Sequence, residues 1–341
     1  MNSRNFGCRI ITDMTIKSNR AVVMENQLLR LTILADRGAD IIELLYKPKD
    51  IDFMWRAPVR LHRKSEYISS TGNSLGNYLD HNSGGWQEIL PNGGDECFYK
   101  GACLGMHGEI SNIPWEYQVV RDYEDEITVR FSICTLRSPF RLEKDITLKA
   151  FEGIIYLSER LTNLAEESME LMWGNHPTVG EPFLDGTCRI STNAAKGFTL
   201  EQENFTTQRL KPGSRFLWPK ADISGGTLDL SAVPPSDSGT ADMIYLTGFP
   251  KDAWYCVSNE ARGLSYGMRW DGHLFPYLWM WLVCGGAYGY PWYGRTYNLA
   301  LEPWTSYSSR GLDGAIENNS ALLIKPKEVI KTELKFEVTE I

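Results

Sequence analysis

Three ionisable side chains stand in sequence surroundings that suit proton transfer, and His107 is the first of them. It lies between glycines in the segment GMHGEISNIPW, so little side-chain bulk shields its imidazole. Imidazole has a reference pKa of about 6.5 and exchanges protons readily at neutral pH. A lone histidine in a loop is more often a structural hydrogen-bonding group, so His107 by itself identifies no active site.

The other two side chains are Glu302 and His176. Glu302 lies within the apolar run LALEPW, where a carboxylate is costly unless it is paired or used, and where desolvation would make it a better base. An ion pair with an arginine such as Arg295 is the alternative. His176 ends an apolar stretch in MWGNHPTVG. Because Pro177 cannot continue a central ladder, His176 is predicted at the rim of a sheet or just beyond it, where functional residues concentrate.

Two segments rich in glycine and tryptophan could line a binding site. The segment 84–96, GGWQEILPNGGDE, must turn tightly and can bring backbone close to a ligand, although a glycine-rich hairpin loop would have the same composition. The segment 275–306 carries four tryptophans around a glycine-rich centre. Tryptophan stacks on flat apolar faces such as those of sugars, although most tryptophans are simply core. The candidates for such stacking are Trp86, Trp281 and Trp292.

The elements that would position these residues are predominantly β-strands. Short β-branched and aromatic runs, bounded by Gly, Pro, Asn or Asp, predict strands at 27–34, 41–46, 115–120, 127–134, 145–150, 154–161, 169–175, 243–248, 254–258, 321–324 and 329–338. Helical periodicity is limited to one or two turns at 54–64 and a single turn at 312–318. Many short strands with few helices predict an all-β sandwich or barrel.

No clear linker divides the chain. The segment 224–238 is rich in Gly, Ser and Pro, which favours a long surface loop over a domain boundary. We therefore expect residues 1–341 to form a single domain.

Bulk composition narrows the classes of function. The chain is 43% hydrophobic and 12% aromatic, which indicates a globular protein. A net charge of −8 without a basic stripe gives no reason to expect a nucleic-acid or membrane partner. The seven cysteines are odd in number and include no CxxC pair, which favours free thiols in a reducing cytosol. No segment resembles a signal peptide or a membrane span, so we expect a cytoplasmic protein.

Several common chemistries lack their motifs. There is no GxGxxG after a strand, no GxxxxGK[ST], no HExxH and no GxSxG. The five histidines lie far apart in sequence and form no obvious metal pair. We expect neither a cofactor nor a metal.

The order of four segments resembles the aldose 1-epimerase (galactose mutarotase-like) superfamily. The segments are GGWQEILPNGG, MHGEISNIPWE, WGNHPTVG and LALEPWTS, and the tail GAIENNSALLIKPKEVIKTELKF is similar to the closing strands of that family. The resemblance runs from Leu28 to the C-terminus and is closer to an uncharacterised branch than to galactose mutarotase itself. It implies an all-β fold, a large antiparallel β-supersandwich with few short helices, in which a sugar binds on a concave sheet face.

The resemblance also implies roles for individual residues. Glu302 matches the family's catalytic carboxylate, His176 its catalytic histidine, and His107 its substrate-orienting histidine. Asp242, in ADMIYL, falls where the family carries an aspartate that grips sugar hydroxyls. The implied reaction interconverts the α and β anomers of an aldose: Glu302 takes the proton of the anomeric hydroxyl, and a protonated His176 supplies one to the ring oxygen. Further substrate-binding candidates are Arg37, Trp86, Asn175, Asp271, Trp281 and Trp292.

Three alternatives stay open at this point. The same fold could bind a sugar without turnover. A glycoside-active enzyme would need a second carboxylate about 5–10 Å from Glu302, for which Glu109 and Asp271 are candidates. An anionic sugar, phosphorylated or sulfonated, would need a cationic clamp. Candidates for that clamp are Arg37, Arg295 and Arg310, although arginines at such positions are more often simply solvated. Association into a homodimer is a further expectation, since aromatic-rich β surfaces can dimerise.

Overall fold

The described chain consists mainly of strands. The structure, a computed structural model, describes residues 4–63 and 74–341. The first thirteen strands are β1 (Arg9–Ile16), β2 (Asn19–Glu25), β3 (Leu29–Leu34), β4 (Asp40–Tyr46), β5 (Ile51–Asp52), β6 (Trp86–Ile89), β7 (Cys97–Tyr99), β8 (Ala102–Leu104), β9 (Glu116–Asp122), β10 (Glu126–Cys134), β11 (Phe140–Lys149), β12 (Ile154–Asn163) and β13 (Met169–Leu171). The others are β14 (Gly174–Val179), β15 (Arg189–Thr192), β16 (Lys196–Phe198), β17 (Arg215–Leu217), β18 (Lys220–Ile223), β19 (Gly226–Asp229), β20 (Thr240–Thr247), β21 (Asp252–Asn259), β22 (Leu264–Asp271), β23 (Tyr277–Cys284), β24 (Tyr297–Trp304), β25 (Leu322–Ile324) and β26 (Val329–Glu340).

Helices are few and short within residues 4–63 and 74–341. They are α1 (Ser74–Leu79), α2 (Gly311–Glu317) and a 3-10 turn at Lys47–Lys49. None of them is long and apolar enough to cross a membrane.

Two large antiparallel sheets pack face to face. One has 14 strands in the order β1-β2-β3-β4-β6-β14-β24-β23-β20-β16-β17-β18-β19, with β5 added beside β4. The other has eight strands in the order β15-β21-β22-β26-β12-β11-β10-β9. β13 pairs with β25, and β7 pairs with β8. The main buried apolar cluster draws side chains from both large sheets, for example Leu31 and Met280 from the first and Phe131 and Phe336 from the second. This arrangement confirms the predicted all-β antiparallel sandwich.

The middle of the 14-stranded sheet differs from its surroundings in burial. In β26 of the smaller sheet, buried and exposed residues alternate, as in a strand with one solvated face. All six residues of β14 are buried, and so are seven of the eight in β24. These two strands are therefore covered on both faces, by the core on one side and by α1 and loops on the other.

Most of the predicted elements are confirmed, with small shifts at their ends, and the short helix predicted at 312–318 is α2. The helical turns predicted at 54–64 are wrong over the described residues. Met54 and Arg56 instead form antiparallel bridges to Val179, at the end of β14, and to Gly84, just before β6, so this stretch is extended. The last residue of the predicted turns lies outside the described part of the chain. The strand predicted at 169–175 is two strands, β13 and β14, which belong to different sheets.

Candidate active site

The candidate site is built on one cross-strand row of the 14-stranded sheet. In the pairing of β14 with β6, His176 lies opposite Gln87. The pairs between β14 and β24 on either side of His176 keep one register, and that register puts His176 opposite Glu302. In the next pairing, between β24 and β23, Glu302 lies opposite Trp279. Residues directly opposite in a sheet share a face, so these four side chains point to the same side.

The position of His176 corrects the prediction that it lies at a sheet rim. β14 is an interior strand, with β6 on one side and β24 on the other. The ladder between β14 and β24 has no recorded pairs at 175–177. Pro177 lies in that gap, and Pro303, which this register puts opposite Asn175, lies in the facing stretch of β24. The two prolines thus share one interruption of the ladder, which lets a proline sit inside the sheet.

Glu302 is a buried carboxyl with few partners. Its side chain is 2% exposed. One oxygen, Oε2, accepts a hydrogen bond of 2.9 Å from the indole Nε1–H of Trp304. The other, Oε1, lies 3.5 Å from Nε2 of His176. Burial raises the pKa of Glu302 to about 8, and the Trp304 hydrogen bond offsets that rise only in part.

His176 completes a pair that carries one exchangeable proton. Its Nδ1 lies 3.1 Å from the hydroxyl of Thr178, and its Nε2 faces Glu302. Burial lowers the pKa of His176 to about 4. Both pKa shifts favour the uncharged pair, in which Glu302 holds the proton and the imidazole is neutral. This resting state differs from the protonated His176 that the sequence analysis expects.

His107 reaches the site from the loop after β8. It has a left-handed backbone (φ 55°), and its Nδ1 accepts a 3.1 Å hydrogen bond from the amide of Gly94. Burial, and then the neighbouring His176, lower the pKa of His107 to about 3. The imidazole is therefore neutral with its proton on Nε2, which makes Nε2 a hydrogen-bond donor. The centroid of its ring lies 5.8 Å from the ring centroid of His176.

A close backbone approach fixes the loop that carries His107. Gly108 has φ +75°, and a Cβ at this position would lie 2.2 Å from the carbonyl oxygen of Leu90. Only glycine fits there, because any side chain would collide with backbone. The glycine beside His107 therefore serves packing of the turn as well as access to the imidazole.

The row opens into a cavity of about 470 Å³. His107, His176 and Glu302 all contribute to its lining. Aromatic side chains form much of the wall: Tyr78, Phe205, Tyr245, Trp279, Trp281, Tyr288, Tyr290 and Trp292. Two further carboxylates, Asp95 and Glu203, line it as well, and no lysine or arginine is among the lining residues of the described chain.

Two of the predicted tryptophans lie at this cavity. Trp281 and Trp292 are in contact, with ring centroids 5.8 Å apart, and both pack against Trp55. Trp281 also lies 6.0 Å from the ring of His176. These two tryptophans therefore lie next to Glu302 and His176.

Trp86 and Asn175 lie on the other face of the sheet. Each is adjacent in sequence to a residue of the row, and alternation along a strand sends its side chain into the interior. The indole of Trp86 donates a 3.1 Å hydrogen bond to the Asn175 side chain and packs against Phe336 of the second sheet. Neither residue lines the cavity, which corrects their placement as substrate-binding residues.

Asp242 is also turned away from the cavity. In the register between β20 and β23, Met243 lies opposite Trp281, so Met243 faces the cavity and Asp242 faces the other side. The carboxylate of Asp242 pairs with Arg209, at 2.5 Å to Nε and 2.8 Å to the backbone amide. An aspartate in the position that the resemblance implies is therefore committed to a structural ion pair.

The remaining candidates lie outside the cavity lining. Asp271 ends β22 in the smaller sheet, where it accepts a hydrogen bond from the His273 amide. Glu109 accepts hydrogen bonds from the backbone amides of 136–138, so it is not a second carboxylate for Glu302. Arg295 packs over the ring of Tyr293.

The other two arginines of the expected anion clamp are separated from each other. Arg310 pairs with Glu317 at the surface. Arg37 is buried, with Nε 3.8 Å from Asp40, and it does not line the cavity. The clamp of three arginines that an anionic sugar would need is not assembled.

Several residues of the site carry no signal in the sequence. Tyr78 donates a short hydrogen bond to Gln87, and Gln87 in turn donates to Asp40 at 3.2 Å. Burial raises the pKa of Asp40 to about 7. Gln87 is next to Trp86 in the segment singled out for its glycines, and strand alternation would have identified it once the face of Trp86 was known.

One family of proteins matches most of the chain. Residues 17–338 match the family described as Domain of unknown function (DUF4432). The curated proteins contain no match.

Within residues 4–63 and 74–341, no group of three or more His, Cys, Asp or Glu side chains could hold a metal ion.

Solved structures share the fold at low sequence identity. A galactose mutarotase-like protein from Clostridium acetobutylicum is 14% identical, with a TM-score of 0.66, over 98% of this chain and 99% of that one. A galactose mutarotase related enzyme from Lactobacillus acidophilus is 18% identical, with a TM-score of 0.62, over 94% and 97%. A candidate aldose 1-epimerase from Klebsiella pneumoniae is 15% identical, with a TM-score of 0.74, over 98% and 83%. The chain belongs to the DUF4432 family, and its fold is that of the galactose mutarotase-like proteins.

Proposed function

We propose that the protein is an aldose 1-epimerase that acts on an uncharged aldose. The observation that carries the proposal is the pair of His176 and Glu302, 3.5 Å apart at an aromatic cavity, with pKa values of about 4 and about 8. Such a pair holds one proton at neutral pH. Anomer exchange needs one proton removed from the sugar and one supplied to it. The pair can do both without changing the number of protons that it holds.

The reaction can be followed through that single proton. Its transfer from Glu302 to His176 gives a carboxylate base and an imidazolium acid. Glu302 takes the proton of the anomeric hydroxyl, the bond between C1 and the ring oxygen breaks, and His176 protonates that oxygen. Rotation about the C1–C2 bond and closure on the other face, with the roles reversed, yields the other anomer. The Nε2–H of His107 would donate a hydrogen bond to the sugar and steady the developing charge.

The charge of the cavity supports an uncharged substrate. Asp95, Glu203 and Glu302 are its ionisable acids, and lysine and arginine are missing from the described lining. A phosphate or sulfonate held there would face Asp95 and Glu203 without a cationic partner in the described lining, which disfavours binding. An anionic sugar is therefore disfavoured as the substrate, because the three arginines that could bind its charged group lie outside the cavity lining.

Saturation-transfer NMR on a panel of neutral, phosphorylated and sulfonated aldoses tests this proposal. We expect faster exchange between the anomers of at least one neutral aldose and no acceleration for its charged counterparts. Tight sugar binding by calorimetry with no acceleration across the panel would identify a non-catalytic sugar-binding protein. Release of free sugar from an aryl glycoside would identify a glycoside-active enzyme instead.

A further inference from the structure

The cross-strand row does not end at the acid–base pair. Trp279 lies opposite Tyr245, Tyr245 opposite Phe198, and Phe198 opposite Arg215 at the exposed end of β17. Side chains in such a row share a face, so Phe198 lies on the same side of the sheet as Glu302. With strands roughly 4.8 Å apart, Phe198 is three strand spacings, or about 14 Å, from Glu302. This is more than one pyranose ring spans.

Aromatic rings cover that stretch without a break. Tyr245 stacks on Phe198 with centroids 5.4 Å apart and planes 18° apart. Tyr307 packs against Phe198 at 4.9 Å, and Tyr277 packs against Tyr307 at 4.8 Å. We call Tyr245, Phe198, Tyr307 and Tyr277 the aromatic strip. Its first member also lines the cavity, so the strip begins inside the candidate site.

Two open grooves of about 580 Å³ each lie along the strip. Phe198, Tyr307 and Arg215 line both of them. Gln202 and Ser309 line one groove and the cavity as well, so this groove adjoins the cavity. The aromatic faces are bordered by amide and hydroxyl groups and by charged side chains, among them Lys196, Glu201 and Arg215. Such a surface suits a ligand with flat apolar faces and many hydroxyls.

We propose that the aromatic strip is a second sugar subsite, so that the substrate is the reducing-end aldose of a di- or oligosaccharide. The inference rests on the proposed function for the identity of the sugar unit in the cavity. The reducing end would occupy the cavity beside Glu302 and His176. The next glycosyl unit would lie over Phe198 and Tyr307, within reach of Arg215. The shared border with the cavity favours this occupant over a peptide or a second copy of the chain.

The test compares each monosaccharide with disaccharides that carry it at the reducing end. Pairs such as glucose with maltose and cellobiose, or mannose with mannobiose, are followed by saturation-transfer NMR. We expect the wild type to show kcat/KM roughly 3- to 10-fold higher for one disaccharide than for its monosaccharide, the range expected for one aromatic stacking contact. Phe198→Ala should bring that ratio close to one. Arg215→Ala, at an exposed position that tolerates change, should lower it by a smaller factor.

Tyr123→Ala is the matched control, because Tyr123 is an exposed aromatic that lines neither the cavity nor the grooves. It should leave the ratio at the wild-type value. Equal kcat/KM within every pair, or an unchanged ratio in both Phe198→Ala and Arg215→Ala, would overturn the second subsite. Conversion of a dimer into monomers by Phe198→Ala, with the ratio unchanged, would assign the strip to self-association.

Binding separates this inference from the proposed function. Calorimetry in a Glu302→Gln background needs no turnover. Tighter binding of a disaccharide than of its monosaccharide, lost on Phe198→Ala, would support the strip even if no sugar were anomerised. Turnover of monosaccharides without any preference for disaccharides would leave the proposed function standing and remove the second subsite.

Discussion

The two faces of β14 carry buried polar groups that differ in how far other protein groups complete their hydrogen bonding. Asn175 and His176 are adjacent, but Asn175 points into the sandwich interior and His176 into the cavity. Asn175 lies near two buried glutamates, Glu88 and Glu159. His176 lies near a third, Glu302. Sequence neighbours thus belong to two different clusters.

The interior cluster is closed by its own contacts. One oxygen of Glu88 accepts a 2.6 Å hydrogen bond from the indole of Trp173, and the other lies 3.4 Å from the ammonium of Lys144. That ammonium also faces the ring of Trp115 at 5.3 Å. Burial, and then the charge of Glu88, raise the pKa of Glu159 well above its usual range, which favours its protonated form.

The cluster at the cavity, by comparison, has fewer protein partners for its polar groups. Glu302 has a single indole donor and His176, and beyond them lies the cavity. Burial alone therefore does not mark a reactive carboxyl, because Glu88 is as deeply buried as Glu302. The difference is that protein groups complete the hydrogen bonding of Glu88, whereas Glu302 has one indole donor and borders the cavity.

The substitution Glu302→Gln should have the largest effect on function. Glutamine keeps the acceptor for Trp304 but cannot exchange the proton, so we expect the rate of anomer exchange to fall by about 10²–10⁴-fold. Saturation-transfer NMR measures that rate, and thermal unfolding should show a melting temperature no lower than that of the wild type. A variant with wild-type rates would rule out Glu302 as the base.

The substitution Glu88→Gln should act on stability instead. It removes the carboxylate that pairs with the buried Lys144. Because Glu159 also interacts with Lys144 and can ionise once the charge of Glu88 is gone, we expect a loss in the free energy of unfolding at or below the about 3–5 kcal/mol of a broken buried pair. Urea unfolding followed by tryptophan fluorescence measures this loss. If Glu88→Gln were as stable as the wild type but inactive, the division between a structural and a reactive face would be wrong.

Asp242→Asn separates the role implied by family resemblance from the one indicated by packing. The substitution weakens the charged hydrogen bonds to Arg209, and we expect a loss of about 1.5–3 kcal/mol in the free energy of unfolding. KM for a sugar should stay at the wild-type value because the carboxylate faces away from the cavity. A large rise in KM without loss of stability would instead place Asp242 on the substrate.

The pH dependence of kcat/KM should be bell-shaped, with limbs near pH 4 and pH 8. Below the pKa of His176, about 4, both groups are protonated and the pair lacks a base. Above the pKa of Glu302, about 8, both are deprotonated and the pair lacks an acid. Activity should fall by about tenfold per pH unit beyond either limb. Exchange rates corrected for the uncatalysed reaction provide the profile, and a flat profile across pH 8 would contradict the raised pKa of Glu302.

The sequence by itself determined the fold class and the residue types of the site. Short β-branched runs separated by turn residues predict an antiparallel sandwich because alternation and turn chemistry are local properties. Glu302, His176 and His107 could be selected because a carboxyl in an apolar run, or a histidine beside glycine or proline, is unusual in its own neighbourhood. Four ordered segments then indicated the fold that the comparisons confirm.

Only the tertiary structure decided which face each residue occupies. A strand has a period of two, so a shift of one residue moves a side chain from the cavity to the interior. That single step separates Gln87 from Trp86, His176 from Asn175, and Met243 from Asp242. Register depends on partners far away in the chain, such as β24 for β14, and no local pattern encodes it.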